Sequence, residues 1–238
     1  MSKKIIALAL VLVLVATVFT ACGEKYRVEK IAGNEHAVMT DEEGNVVIDP
    51  EKGVQAIVTD KDGEIVTYEN KEPQTYWVSI PNYFVADGVV HSSLYSMKAI
   101  DGWDMSDSGI MEKKGTEGKC EVHCAAVIEK GYEDAPLLDW LLVRDERNAQ
   151  AKPLYEAEGY KVTVEKTNVT VTNKDLPMVH YKEVIYNPDG SLANYSECLY
   201  FQLGSSDKYV IQYSCKDGVG YDEDFDFIGF VDTNFTLV

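Results

Sequence analysis

Met178 to Tyr186, then Asn187-Pro188-Asp189-Gly190, then Leu192 to Leu203, is the stretch whose reading decides the fold. Pro fixes φ in a turn and Gly can take the left-handed position, so the two flanking β-rich runs should fold back on each other as a hairpin. Outward from it, Lys161 to Val171 reads as a further strand on the N-terminal side. On the C-terminal side, Ser205-Ser206-Asp207-Lys208 reads as a loop into another strand, Tyr209 to Cys215. That loop would set Gly204 against Tyr209 and Cys198 directly opposite Cys215. Cross-strand Cβ atoms at ~4.5–5.5 Å can close to a disulfide, so a Cys198–Cys215 bond is expected. Cys120 and Cys124 would then stay reduced in the core.

The best helix runs from about Asp134 to Gln150, with Asp134 as N-cap and Pro136 in the first turn, where a missing N–H costs nothing. Leu137, Leu138, Leu141 and Leu142 are its expected buried face and Arg144 to Arg147 its wet one, and Pro153 should stop it. Upstream, Tyr76 to Ile80 is a strand broken at Pro81, and a further strand is expected near Val89 to Met97. Ile110 to Lys113 and Lys119 to Glu129 read as paired strands about a Gly115-to-Gly118 turn. Asp222 to Val231 reads as a short helix, and Phe235-Thr236-Leu237 as an edge strand or tail. The expected class is α+β: an antiparallel β-sheet with two helices packed on it. From about Ile80 onward, this order of elements resembles the PsbP-like fold. The resemblance implies an antiparallel sheet flanked by helices, with a last hairpin before a terminal helix. It carries no functional residues over.

Residues 23 to 74 differ in composition. Thr40-Asp41-Glu42-Glu43-Gly44-Asn45-Val46-Val47 is echoed by Thr59-Asp60-Lys61-Asp62-Gly63-Glu64-Ile65-Val66. Asp-x-x-Gly between short β-branched runs signals a hairpin. With so little apolar area such hairpins are marginal alone, so 22–74 reads as a polar tether and 75–238 as the globular domain.

The chain opens with Lys3 and Lys4, an aliphatic run from Ile5 to Phe19, and Thr20-Ala21-Cys22-Gly23. A basic start, a short apolar segment and small residues make residues 1–21 a secretory signal peptide. Phe19-Thr20-Ala21-Cys22 resembles the lipobox of bacterial lipoproteins. The resemblance implies that Cys22 becomes the first mature residue and carries a diacyl anchor. The location implied is the cell membrane, on its extracytoplasmic face. The formal charge of −18 repels nucleic acid and anionic headgroups and favours, at most, cationic ligands. Lipid on Cys22 must therefore hold the protein to the membrane without a polybasic patch.

Several groups invite chemistry. Cys120-Glu121-Val122-His123-Cys124, with Cys198 and Cys215, suggests a zinc set, but strand alternation puts His123 opposite Cys120 and Cys124. Export favours core cysteine or disulfide instead. Asp222, Glu223, Asp224 and Asp226 suggest calcium, or acids gathered at a helix start. Asp60-Lys61-Asp62-Gly63 lacks the first ligand of a calcium loop, since Val58 stands there. Ser205-x-x-Lys208 matches a penicillin-binding pattern without its companion motifs. His36, His91, His123 and His180 are scattered. The 15 Tyr suit a sheet, or an aromatic binding surface. No cofactor and no metal are expected. The expected function is a membrane-anchored module that binds a protein or small molecule, or supports a partner, and is not an enzyme. The alternative is an envelope hydrolase using a carboxylate pair.

Overall fold

The computed structural model describes residues 26–31, 34–49, 52–80, 83–92, 94–127, 131–171, 175–205 and 207–237. The expected leader 1–21 and the expected lipidation site Cys22 lie outside them. The chain is mostly β, with 51% strand and 15% helix in three antiparallel sheets. This β-rich fold corrects the expected α+β class. Many short runs of residues 26–113 pair into sheet, while the described residues hold two helices.

Contacts divide the chain into two units, one comprising residues up to Asp87 with 91–95, the other residues 88–90 and 96–237. The first unit carries a five-stranded sheet: β1 (Tyr26–Ile31), β2 (Asn34–Met39), β4 (Gly53–Ile57) and β3 (Ile48–Asp49) in that order, with β5 (Thr75–Val78) also paired to β4. Ile31, Val38, Val46 and Val54 bury together with Phe84 and Ala86 of β6 (Tyr83–Ala86). The stretch read as a tether thus holds a packed core, built from apolar residues too thinly spread to signal one. The sequence echo is also a structural repeat. Thr40 bridges Val46 as Thr59 bridges Ile65. Val47 N–H donates to Met39 O at 2.9 Å, as Val66 N–H does to Val58 O. Gly44 and Gly63, both at positive φ, close the two turns.

The second unit is built on a seven-stranded sheet. Its strands are β12 (Lys161–Val171), β13 (Leu176–Tyr186), β14 (Leu192–Leu203), β15 (Asp207–Lys216), β11 (Cys120–Ala126), β10 (Met111–Lys113) and β9 (Trp103–Met105), in that order. β16 (Phe235–Leu237), β8 (Tyr95–Lys98) and β7 (Val89–Ser92) run side by side in a third, small sheet. The turn at Asn187-Pro188-Asp189-Gly190 is as read, with Gly190 N–H donating to Asn187 O at 2.9 Å and Gly190 at φ +86°.

Helix α1 (Leu137–Ala157) covers one face of the large sheet. Leu137, Trp140 and Leu141 are buried against Val179, Tyr181, Cys198 and Tyr200. The buried stripe is therefore 137, 140 and 141, a helical spacing that leaves Leu138 and Leu142 outside. Pro153 lies inside the helix rather than ending it, and the N-cap position is Pro136 rather than Asp134. Gln202 Oε1 takes the first free donor, accepting from Leu137 N–H at 2.8 Å. The opposite face of the sheet carries an aromatic cluster with helix α2 (Phe227–Asn234). Tyr213 meets Phe225 edge-on at 4.8 Å, and Phe201 meets Phe235 at 5.9 Å.

Candidate binding groove

Helix α1 leaves a groove of about 520 Å³ where its second half lies beside β12 and β13. Its apolar wall is Val162, Val164 and Ile185, and its rim includes Asn148 and Lys152. β12 is the last strand of its sheet, so one side of an eleven-residue strand pairs no other strand among the described residues. Such an edge is a template for another strand. At the far end of β12, a second cleft of about 450 Å³ is lined by Leu137, Leu138, Val169 and Pro177.

Polar contacts hold the groove floor. Tyr181 on β13 donates its hydroxyl to Asp145 Oδ1 at 2.6 Å, and Lys166 on β12 reaches Asp145 Oδ2 at 2.7 Å. The Arg144 guanidinium lies over the rings of Tyr181 and Tyr200 at 4.6 and 4.7 Å. Arg144 therefore belongs to the sheet side of α1, against the expectation of a wet Arg144–Arg147 face. Its long stem and flat head let it cover two tyrosines, which a charge-based reading of the helix does not register. Burial pushes the Tyr181 hydroxyl above its usual range, and the hydrogen bond to Asp145 adds to this. For Lys166 burial works downward, but its bonds to Asp145 and Tyr181 more than offset it, so its pKa is raised. Lys166 thus stays a cation and Tyr181 a neutral donor at neutral pH. A carboxylate held this way suits positioning better than proton transfer.

Along its length α1 exposes Leu138 at 61%, Leu142 at 58% and Leu154 at 70%, and of these Leu138 lines the second cleft. Sequence reasoning placed Leu138 and Leu142 in the core. The signal that distinguishes them is Trp140, whose bulk against Tyr200 fixes which side of the helix faces the sheet.

The structure disperses the other candidate residues. Leu203 faces Asp207, so the β14–β15 connection is the three residues 204–206. The shorter loop moves the register by three, and Cys198 lies opposite Gln212 instead of Cys215. The expected Cys198–Cys215 cross-strand position is thereby corrected. Cys215 is flanked by Tyr195 on β14 and Cys120 on β11. Cys120, Cys198 and Cys215 stand as thiols, not joined in a disulfide.

Among the described residues no group of three or more His, Cys, Asp or Glu is placed to hold a metal ion. Asp222 lies 3.7 Å from Lys113, and Asp226 caps α2 by accepting from Gly229 N–H at 2.9 Å. Asp60 Oδ1 accepts from the backbone N–H groups of Asp62 and Glu64, closing its own turn. Lys208 donates to the carbonyls of Tyr132 and Glu133. His180, the one histidine in a chain of short bonds, links Thr167 at 3.3 Å to the buried Glu197 at 2.7 Å. Tyr195 donates to the other oxygen of Glu197 at 2.6 Å. This chain satisfies a buried carboxylate across three strands, as a buried charge requires.

No protein-family model matches the chain, and no curated protein matches it. Among the described residues no helix is long and apolar enough to cross a membrane.

Proposed function

We propose that the protein is a lipid-anchored module on the extracytoplasmic face of the cell membrane that captures an extended protein segment beside β12. The lipobox-like Phe19 to Cys22 supports the anchor. The observation that carries the binding role is the groove walled by Val162, Val164 and Ile185 beside the unpaired edge of β12, with the exposed Leu138 in the second cleft along the same strand. Main-chain bonds along an edge supply affinity, and pockets beside it supply choice of side chain. A net charge of −18 disfavours acidic segments, so the favoured occupant is neutral or basic with apolar side chains. The module works by binding alone, without a reaction of its own.

Two variants test the two halves of this reading. Cys22→Ser should leave the leader uncut and abolish incorporation of labelled fatty acid. Lipid labelling and processing equal to wild type would contradict the anchor. The double variant Leu138→Glu, Val164→Glu, both at exposed sites lining the clefts, should fold normally yet lose the protein that the wild type captures from its own solubilised membrane. Undiminished capture by the double variant would contradict the groove.

A further inference from the structure

We propose that Cys120 and Cys215 are the partners of a cross-strand disulfide that staples β11 to β15. The inference does not depend on what the α1 groove binds. Cys120 and Cys215 face each other directly in the antiparallel register, and both are fully buried. Lys216 N–H donates to Lys119 O and Val127 N–H donates to Lys208 O, each at 2.8 Å. These bonds put the hydrogen-bonded pairs at 119:216 and 127:208, and every second pair between them shares that character. Cys120 and Cys215 are then a non-hydrogen-bonded pair, the kind with Cα atoms ~4.5 Å apart and side chains closest. That separation falls within the range of about 4.4–6.8 Å that a disulfide spans.

The alternatives fail on position. Cys124 faces Ile211, and Cys198 faces Gln212 and Tyr181, so neither has a cysteine opposite. Cys198 also projects to the other side of the sheet, among the residues under α1. Of the four described cysteines, 120 and 215 alone share a cross-strand position. The Cys120 sulfur lies 3.5 Å from Gly220 O and 4.0 Å from the Tyr213 hydroxyl. A Cβ on Gly220 would stand 2.8 Å from that of Cys120, so the chain after β15 closes tightly over the pair.

The pair closes by thiol–disulfide exchange while the chain is folding, and the thiolate of either cysteine can begin it. In one order Cys215 attacks first. Its sulfur displaces one sulfur of an external low-molecular-weight disulfide, forming a mixed disulfide and releasing one thiolate, which takes a proton. Cys120 then gives up its proton and attacks the Cys215 sulfur, and the second external thiol leaves. The protein loses two S–H bonds and gains one S–S bond, while the external disulfide is reduced to two thiols. Burial confines this exchange to the folding chain, before residues 217–222 close over the sulfurs.

The test is refolding of the full chain from denaturant with oxidised glutathione, followed by alkylation and digestion without reduction. The expected result is one linked peptide pair containing Cys120 and Cys215, with Cys124 and Cys198 alkylated. Reducing that bond, which closes a loop of roughly 100 residues, should lower Tm by about 10 °C. Cys198→Ser should keep both the linked pair and the shift. Recovery of Cys120 and Cys215 as alkylated thiols, or either bonded to any other cysteine, overturns the proposal. Because the wild-type chain itself is mapped, a variant that fails to fold does not obscure the result.

Discussion

Tyr181 gives its hydroxyl proton to Asp145 at 2.6 Å, and this bond ties the middle of helix α1 to strand β13. The same carboxylate receives Lys166 from the edge strand β12, so one side chain joins three elements at the floor of the groove. Arg144, the next residue on α1, completes the floor by covering the Tyr181 ring.

Tyr181→Phe should therefore cost about 1 kcal/mol, the usual net worth of one such bond, since Lys166 still satisfies Asp145. Denaturant unfolding measures it. A loss above about 3 kcal/mol would mean that the hydroxyl holds more than this single contact.

Neighbouring leucines of α1 should behave oppositely. Leu141 is fully buried, and its replacement by alanine should cost about 2–5 kcal/mol. Leu142→Ala, at an exposed site, should stay within about 0.5 kcal/mol of wild type. Equal losses at the two positions would contradict the helix orientation.

This contrast marks how far the sequence could be read. Lys161 to Val171 and Leu192 to Leu203 were legible to the residue, because alternation and the Asn-Pro-Asp-Gly turn act locally. The rotation of α1 was not, because four leucines at 137, 138, 141 and 142 fit two faces equally well. Only the packing of Trp140 on Tyr200 decides between them. Register failed at one loop, where Gly204 at φ +64° permits a three-residue connection and shifts every partner of β15. The groove was illegible for a further reason: Asp145, Lys166 and Tyr181 are far apart in sequence and common in type. The repeat at Thr40 and Thr59 was legible as a pattern, but the core beneath it depends on distant Phe84 and Ala86.

In the first unit, Arg27 holds Asp87 by a two-pronged contact, one arm being 2.8 Å long. Hydrogen bonding to Arg27 keeps the Asp87 carboxyl below its ordinary 3.8, against burial and with help from Val46 N–H. Its contribution is complete above pH 3.8 and is lost as pH falls through the lower folded value. Burial holds the His91 imidazole below its ordinary 6.5, although the charge of Asp87 opposes this. The unfolded chain then takes up that proton first, so stability also falls as pH drops below 6.5. Urea midpoints from pH 8 to 3 should show both losses. Asp87→Asn should flatten the lower one at a cost of about 1 kcal/mol near neutrality, and His91→Asn the upper one. Acid limbs unchanged in both variants would contradict these assignments.

Gly53 sits at φ +100°, and a Cβ there would run into the Val78 carbonyl on β5. Gly53→Ala should destabilise the first unit by several kcal/mol, combining backbone strain with a clash that neither strand can relieve cheaply. Val54→Ala, at a fully buried site, should cost about 2 kcal/mol. Hydrogen exchange resolves the two units separately. Unchanged protection of β4 in both variants would mean that residues 26–80 do not depend on this core.

The claim that a protein segment lies along α1 and β12 is tested most directly by photo-crosslinking in the native membrane. A photoreactive residue is placed in turn at Leu138 in the second cleft, at Val164 on the groove wall and at the exposed Asp107, which lines neither. Positions 138 and 164 should both label one and the same protein, and 107 should not. Labelling that is equal at all three positions, or absent at both 138 and 164, would contradict the claim.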